Sequence, residues 1–356
     1  MKILQVIPYF CFGGAETMCE NLTYALTKQG HSVTVVSLYQ EKTPISRRME
    51  EAGIRILYLD KKLGLDLSMV TKLAKIMRRE RYDVVHTHLD VIKYAAAAAK
   101  LSGIRRCVHT VHNVAEEEAG GRLQRIINTV YFRLGWSVPV ALSPEVQRTI
   151  VSFYGMKEET VPVVYNGVDL SRCLPKDNYQ LSKPAQLLHI GRFNYQKNHR
   201  GLLEAFVMIL EQYPDCCLNL LGEGELRPEV EACAEELGIR EKVIFHGSRS
   251  NVYPYLNSAD IFLLPSRFEG MPMTIIEAMG TGLPVVASAV GGVPDMLRDG
   301  ESGILVSQEP ESVARAVLSL LEQGDFRQKL GESARKDSEK FSAEYMAEAY
   351  CRIYRA

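Results

Sequence analysis

Short apolar runs rich in β-branched residues alternate with helical segments along the whole chain, and this alternation constrains the fold more than any other feature of the sequence. In the first half the runs read KILQVIP, HSVTVVSL, IRILYL, DVVHTH, CVHTVH and VPVALS. Amphipathic or alanine-rich segments separate them, an order that is typical of parallel strands joined by crossover helices. The sequence therefore predicts an α/β fold built on a doubly wound parallel sheet.

This pattern breaks once and then restarts. Residues 166–186 lose periodicity and gain Asn, Asp, Pro, Lys and Ser, a composition that is typical of a linker. The runs after it read QLLHIGRF, CCLNLLGEG, KVIFHGS, DIFLLPS, PVVASAV and GILV. We therefore expect two doubly wound domains, residues 1–170 and 171–340, followed by a helix at 341–356. Ligands of such sheets bind at the carboxyl ends of the strands, so the active site is expected in the cleft between the domains.

The composition agrees with two buried cores in a reducing compartment. The chain has 356 residues, 46% of them hydrophobic, which is enough for two domains. Its eight cysteines include no CxxC pair, so free thiols are expected. The opening MKILQVIPYF lacks a cleavage site and no segment is long enough to span a membrane. We therefore expect a cytoplasmic protein.

Charge is distributed unequally between the two halves. Residues 1–170 hold 22 Lys and Arg against 17 Asp and Glu, a net +5, whereas residues 171–356 hold 20 against 26, a net −6. The segment SMVTKLAKIMRRERY predicts a helix with apolar residues on one face and four cations elsewhere: Lys72, Lys75, Arg78 and Arg79. Contact of this basic face with anionic lipid is one interpretation, and a plain surface helix is the other. No nucleic-acid partner is expected.

Two glutamates bracket a predicted helix start in EGMPMTIIE, at Glu269 and Glu277. The segment follows the strand DIFLLPS, and Pro272 suits the first turn of a helix because it lacks the N–H that would be unpaired there. The free N–H groups of that turn favour a phosphate. Since carboxylates repel phosphate, we expect Glu277 to hold a ribose and Glu269 a transferred sugar. Either carboxylate taken singly is better explained as a solvated side chain, and the donor interpretation rests on its combination with other polar groups at the strand ends.

Two cations follow the first strand of the second half, in GRFNYQKNH. Arg192 and Lys197 lie five residues apart near the start of the next helix, where the helix dipole opposes positive charge. An anion such as a diphosphate would explain their placement. Solvent-facing charges before a helix are the alternative.

The first half offers weaker signals. Gly13 and Gly14 lie between the first strand and the first helix, where glycine permits close approach of the backbone to a ligand. The fingerprint GxGxxG is absent, which disfavours a nicotinamide oxidoreductase. Four histidines end two neighbouring strands without the spacing of a known metal-ligand set: His86, His88, His109 and His112. We expect no metal site and keep His112, at the exit of its strand, as a candidate site residue.

Together these motifs resemble the GT-B glycosyltransferases of family 4. GGAE, VVHTH, TVHN, NGVD, GRFNYQKN, LLGEG, FLLPSRFEGMPMTIIEAMGTGLPVVAS and GGVPDMLRDGESGILV occur in the order that this family uses. The resemblance implies a GT-B fold with an acceptor-binding first domain, a donor-binding second domain and a final helix that packs back on the first. It implies the following donor contacts: Gly13, Gly14, Arg192, Lys197, Glu269, Gly270, Met271 and Glu277. His112 would lie near the donor sugar.

The activity that the resemblance implies is retaining transfer from a nucleoside diphosphate-sugar, with UDP-sugars ahead of GDP-mannose, to a hydroxyl of a glycan or lipid-linked acceptor. Catalysis would use His112, Glu269, Arg192 and Lys197. No DxD occurs, so a reaction without metal or other cofactor is expected. Two alternatives stay open: an epimerase or hydrolase of nucleotide-sugars on the same fold, and a non-catalytic partner subunit that binds them.

Overall fold

The computed structural model describes residues 1–11 and 13–356. These residues form two compact units. Unit 1 comprises Met1–Gly167 together with Ala343–Ala356, and unit 2 comprises Val168–Ser342.

Unit 1 contains a six-stranded parallel sheet. Its strands are β1 Lys2–Ile7, β2 Ser32–Ser37, β3 Arg55–Tyr58, β4 Val84–His88, β5 Arg106–Val111 and β6 Val138–Ala141. They are ordered β3-β2-β1-β4-β5-β6, so the direction of winding reverses between β1 and β4. Apart from its first residue β1 is fully buried, because helices cover both faces of the sheet.

In the described residues, six α-helices lie between these strands and a seventh follows β6. They are α1 Gly14–Lys28, α2 Pro44–Glu51, α3 Ser68–Glu80, α4 Ile92–Leu101, α5 Ala115–Ala119, α6 Arg122–Arg133 and α7 Pro144–Tyr154. One apolar core includes residues of α3, α4, α6 and α7, and a smaller one includes residues of α1 and α2.

Unit 2 repeats the plan. Its strands are β7 Ala185–Ile190, β8 Cys216–Leu221, β9 Val243–Gly247, β10 Ile261–Leu264, β11 Val285–Ser288 and β12 Ile304–Val306. They are ordered β12-β11-β10-β7-β8-β9, all parallel, with the reversal between β7 and β10. Its helices are α8 His199–Gln212, α9 Arg227–Glu236, α10 Tyr253–Ser258, α11 Met273–Thr281, α12 Val293–Met296, α13 Pro310–Glu322 and α14 Gly324–Ser338.

The last helix, α15 Ala343–Arg355, belongs to unit 1 although it follows unit 2 in the chain. Its buried residues include Met346, Tyr350 and Tyr354, and Lys28 at the end of α1 pairs with Glu344. The sequence-based boundary at 170 lies three residues beyond Gly167.

The predicted site residues lie near the points at which the strand order of each sheet reverses. Where the connections from two neighbouring strands lead in opposite directions across the sheet, they leave a crevice at the carboxyl ends of those strands, and ligands of such sheets bind there. In unit 1 the loop with Gly13 follows β1, and His88 ends β4. In unit 2 the loop with Lys197 follows β7, and the loop with Glu269 follows β10. The prediction of an α/β fold with two doubly wound sheets is confirmed.

Candidate active site

The loop after β7 is tied to the end of β10. The Asn194 side chain accepts a hydrogen bond from the backbone N–H of Lys197 at 3.3 Å, across a short 3-10 turn. Asn198 then adopts a left-handed φ of 54°, and its Nδ2 donates to the carbonyl of Pro265 at 3.2 Å. The bond between Asn198 and Pro265 therefore joins the two loops at the reversal point of unit 2.

Lys197 and Glu269 form an ion pair between these loops. Nζ lies 2.5 Å from Oε1, and the side chains are only 15% and 5% exposed. Gln196 Nε2 donates to Glu269 Oε2 at 3.3 Å and to the Phe268 carbonyl at 2.9 Å. The sequence suggests a diphosphate as the anion that balances Lys197, whereas in the structure Glu269 supplies the negative charge. Glu269 is accordingly a buried, oriented carboxylate and not a solvated loop residue.

Arg192 is placed differently from Lys197. Its guanidinium lies 3.7 Å from Glu225 Oε2, with both side chains more than half exposed. Exposed pairs of this kind contribute about 0–1 kcal/mol, because water screens them and ordering costs entropy. The Arg192 guanidinium can therefore leave Glu225 for a more strongly charged anion at little cost.

A glycine from a third loop supports the backbone of Glu269. Gly291, after β11, has a φ of 55°, and a Cβ there would lie 1.6 Å from the carbonyl oxygen of Glu269. The neighbouring Gly292 N–H donates to the Gly270 carbonyl at 2.9 Å. We assigned no role to Gly291 from the sequence, although a double glycine after the strand next to β10 is a signal that could have identified it.

The start of α11 differs slightly from the sequence prediction. Pro272 is the residue before the helix, with an extended ψ of 118°, and Met273 is the first helical residue. Pro272 therefore sits one position earlier than the first turn. The last helical residue is Thr281, and Gly282 after it has a φ of 74°, which suits glycine.

Glu277 lies within α11 and is buried, with 7% of the residue exposed. Burial raises the pKa of its carboxyl to about 7, while the nearby Arg172 guanidinium and Tyr253 hydroxyl oppose the rise. Arg172 itself lies over the Tyr253 ring, 4.5 Å from its centre. Glu277 thus titrates near neutrality, which its sequence context did not indicate.

In unit 1 the double glycine begins α1. Gly13 has an extended φ of −155°, so its backbone conformation does not require glycine. A Cβ there would lie 2.5 Å from Glu16 Oε2, and Gly14 is the first helical residue. A side chain at position 13 would therefore have to displace the Glu16 carboxylate.

The four histidines singled out from the sequence, in or next to β4 and β5, form hydrogen-bonded contacts with their surroundings. His88 Nδ1 lies 3.1 Å from His112 Nε2, and His109 Nδ1 lies 2.9 Å from Thr87 Oγ1. His86 contacts the Tyr354 hydroxyl of α15 at 2.7 Å. Among residues 1–11 and 13–356, no group of three or more His, Cys, Asp or Glu side chains is arranged to hold a metal ion.

His112 is fixed by its backbone as well as its ring. Its N–H donates to Glu118 Oε2, which also accepts the N–H of Asn113 at 3.1 Å. Burial lowers the pKa of His112 to about 4, an effect that the Glu118 carboxylate only partly opposes. The imidazole is therefore neutral at physiological pH.

Two family models match this chain. The model described as Glycosyltransferase Family 4 covers residues 12–172, and the model described as Glycosyl transferases group 1 covers residues 175–337. The two matches follow each other in the order of units 1 and 2. The chain belongs to the family 4 glycosyltransferases of the GT-B fold. The resemblance inferred from its motifs is confirmed.

Known glycosyltransferases of this kind match over most or all of the chain. An uncharacterised glycosyltransferase of Methanocaldococcus jannaschii is 27% identical over all of this chain and 98% of its own length. The UDP-Gal:α-D-GlcNAc-diphosphoundecaprenol α-1,3-galactosyltransferase of Escherichia coli is 28% identical over 68% of this chain and 66% of its own. The crystal structure of Anabaena Alr3699/HepE in complex with UDP and glucose has a TM-score of 0.86, with 19% identity and full coverage of both chains. At that identity the structural likeness shows the GT-B fold.

The structure of this glycosyltransferase contains, in the part that it describes, no helix long and apolar enough to cross a membrane. It brings Lys197 and Glu269 into contact, places Gly270 against the loop of Gly291, and leaves Arg192 in solvent. Met271 is buried just before α11.

Proposed function

We propose that this glycosyltransferase transfers a sugar from a UDP-sugar to a hydroxyl of a lipid-linked or glycan acceptor, with retention of configuration and without a metal ion. The observation that carries the proposal is the buried Lys197–Glu269 pair at the reversal point of unit 2, beside the amino end of α11. That arrangement offers a cation for the diphosphate and an oriented carboxylate for sugar hydroxyls within one small region.

The leaving group needs positive charge close to it. When the bond between the anomeric carbon and the diphosphate oxygen breaks, negative charge develops on that oxygen. Lys197, Arg192 and the free N–H groups of α11 would stabilise it. Glu269, held by Lys197, would accept hydrogen bonds from the transferred sugar, and the carboxylate of Glu277 would accept them from the ribose. Gly270 and Met271 would contact the donor through the loop between these glutamates.

Retention would follow from attack on the face that the diphosphate is leaving. The acceptor oxygen bonds to the anomeric carbon, and its proton passes to the departing phosphate oxygen, so no separate base is needed. The neutral imidazole of His112 would orient sugar hydroxyls, with Gly13 and Gly14 near the diphosphate. Unit 1 would bind the acceptor and unit 2 the donor.

UDP is the proposed nucleotide, with GDP-mannose as the second choice. The E. coli relative is named for a UDP-galactose donor, and the Anabaena structure holds UDP. The same relative is named for a diphosphoundecaprenol acceptor, which supports a lipid-linked acceptor here. We therefore place the protein in the cytoplasm with a peripheral contact to the inner face of the membrane.

Two surfaces of unit 1 support membrane contact. Helix α3 exposes Lys72, Lys75, Arg78 and Arg79. Helix α6 and the residue that follows it expose apolar side chains at helical spacing, each between 43% and 62% exposed: Leu123, Ile126, Val130 and Leu134. The helix contains three arginines and no acidic residue. A basic helix with an exposed apolar stripe suits the headgroup boundary of an anionic bilayer, whereas pairing of two copies through α6 would bring like charges together.

The assay that tests the proposal combines the purified chain with UDP- and GDP-sugars and an undecaprenyl-diphosphate-linked sugar, with and without EDTA. We expect UDP release that depends on the acceptor, a product with the donor's anomeric configuration, and no loss with EDTA. Free or epimerised sugar nucleotide formed without acceptor would instead support the epimerase or hydrolase. Binding of donor without any turnover would support the non-catalytic subunit.

A further inference from the structure

A series of buried, hydrogen-bonded side chains leads from α1 to His112, and we call Thr23, Gln5 and His88 the relay. Thr23 Oγ1 lies 2.7 Å from the Cys19 carbonyl and 2.7 Å from Gln5 Nε2. Gln5 Oε1 lies 2.9 Å from His88 Nε2, and His88 Nδ1 lies 3.1 Å from His112 Nε2. Thr23, Gln5 and His88 are each inaccessible to solvent.

The direction of each hydrogen bond in the relay follows from its first member, Thr23. A backbone carbonyl can only accept, so the single hydroxyl proton of Thr23 is donated to Cys19. Thr23 Oγ1 then has only lone pairs for Gln5, which must turn its amide nitrogen toward Thr23 and its oxygen toward His88. The Gln5 oxygen can only accept, so the proton of His88 is on Nε2.

The same argument assigns the ring protons of His88 and then of His112. Burial lowers the pKa of His88 well below its usual value, so its ring carries one proton, and Nδ1 is an acceptor. His112, also neutral, must therefore donate from Nε2, and its Nδ1 carries a lone pair. Within residues 1–11 and 13–356, His112 Nδ1 has no hydrogen-bond partner.

We infer that Thr23, Gln5 and His88 are positioning residues that fix His112 as the tautomer protonated on Nε2, so that Nδ1 accepts a hydrogen bond from one hydroxyl of the transferred sugar. The role of that hydroxyl rests on the proposed function, whereas the tautomer does not. Donors that lack the hydroxyl would leave the lone pair without a partner, which makes the relay a determinant of donor specificity.

The tautomer can be measured directly in the wild-type protein. Long-range ¹H–¹⁵N correlation spectra of ¹⁵N-histidine-labelled protein at neutral pH report which ring nitrogen carries the proton, and a His112→Gln variant assigns the signal. We expect His112 and His88 both to be protonated on Nε2. A His112 ring protonated on Nδ1, or an equal mixture of tautomers, would overturn the inference whatever the activity of the enzyme.

An isosteric pair of variants separates the relay from packing. Thr23→Val keeps the side-chain shape but removes the oxygen that holds the Gln5 amide, so the amide can rotate and His88 and His112 can adopt the opposite tautomers. Thr23→Ser retains the hydroxyl. We expect mixed tautomers and a fall in kcat/KM of about three- to ten-fold for Thr23→Val, the usual effect of one neutral hydrogen bond, and near wild-type values for Thr23→Ser.

A set of deoxy-donors, each lacking one hydroxyl of the transferred sugar, completes the test. The Thr23→Val loss should disappear with one member of the set and persist with the others, because the relay and that hydroxyl act on the same hydrogen bond. An equal loss with every donor would assign Thr23 to stability alone and overturn the role in recognition. Absence of sugar transfer by a wild-type protein with the expected tautomer would contradict the proposed function and leave the tautomer assignment standing.

Discussion

Glu277 is a carboxylate that the fold holds close to its titration point. Burial of its carboxyl raises the pKa to about 7 in the folded protein, whereas the usual value, taken for the unfolded chain, is 4.5. A group of this kind favours folding in its protonated form. Its contribution is therefore complete below the unfolded pKa and is lost as the pH rises through about 7. If the Glu277 carboxylate also contacts the donor, as proposed above, it links stability and donor binding to pH in opposite directions.

The first prediction concerns this linkage. If the Glu277 carboxylate accepts hydrogen bonds from the ribose, donor affinity should increase as the pH rises from 6 to 8, while the free energy of unfolding decreases. Glu277→Gln should flatten both profiles and raise the donor KM more than it lowers kcat. Isothermal titration with the donor and urea unfolding across this pH range measure the two effects. Parallel profiles for the wild type and the variant would contradict the assignment.

The second prediction separates Glu269 from Glu277. The glutamine of Glu269→Gln can still accept a hydrogen bond from Gln196, but the variant lacks the negative charge that pairs with Lys197. We expect kcat to fall by about a hundredfold or more with a small change in donor KM, since charge near the reacting sugar matters most in the transition state. Steady-state kinetics with varied donor measure this. Glu204→Gln, at a partly exposed position on α8, is the control.

At the scale of elements, strands were predictable and loop contacts were not. Every strand follows from a local apolar run, since the buried strands of a parallel sheet need little else. Lys197 and Glu269 were each assigned to the donor, but their ion pair joins residues 72 positions apart, and no local pattern encodes it. The same holds for Gly291 beneath Glu269 and for the relay from Thr23 to His112. Their contacts depend on strand order, which the sequence pattern leaves open.

The third prediction tests the loop contact at Gly291. Alanine there has to move the Glu269 carbonyl, so Gly291→Ala should weaken donor binding and lower the melting temperature. Gly300→Ala is the matched control, because Gly300 has a similar φ of 69° but nothing within 4 Å of its Cβ position. The control should show only backbone strain, about 1 kcal/mol. Equal donor affinity in the two variants would argue against support of Glu269 by Gly291.

The fourth prediction concerns α6 and α3. In flotation assays with vesicles that contain anionic phospholipid, less protein should float with the vesicles after the double substitution Leu123→Gln with Ile126→Gln. Added salt should weaken vesicle binding as long as either helix is intact. Reversal of charge at Arg78 and Arg79 should reduce the salt-dependent part alone. Leu237→Gln, an exposed leucine of unit 2, should change nothing. Vesicle binding that ignores all of these changes would remove the proposed membrane surface.

On the scale of the whole molecule, the chain passes from unit 1 to unit 2 and returns. Met346 and Tyr350 of α15 lie in the interior of unit 1, and the Tyr354 hydroxyl contacts the buried His86. Residues from both ends of the sequence therefore complete one core. A side chain near position 350 can affect the histidines of β4 as directly as a side chain near position 90.

The fifth prediction follows from this return. Met346→Ala removes a buried side chain and should cost about 2–5 kcal/mol of unfolding free energy. Arg352→Ala, at an exposed position on the same helix, should stay within about 0.5 kcal/mol of the wild type. Urea unfolding followed by circular dichroism measures both. A Met346→Ala protein as stable as the control would show that α15 adds little to unit 1.

The return of α15 also has a consequence for biosynthesis. Translation delivers residues 1–167 first, yet Tyr350 and Tyr354 leave the ribosome only after all of unit 2 has been made. Until then the nascent amino-terminal unit exposes the apolar surface of α1 that α15 later covers, and such surface invites chaperones or aggregation. A premature stop codon near the end of the message would thus damage the portion of the enzyme that was synthesised earliest.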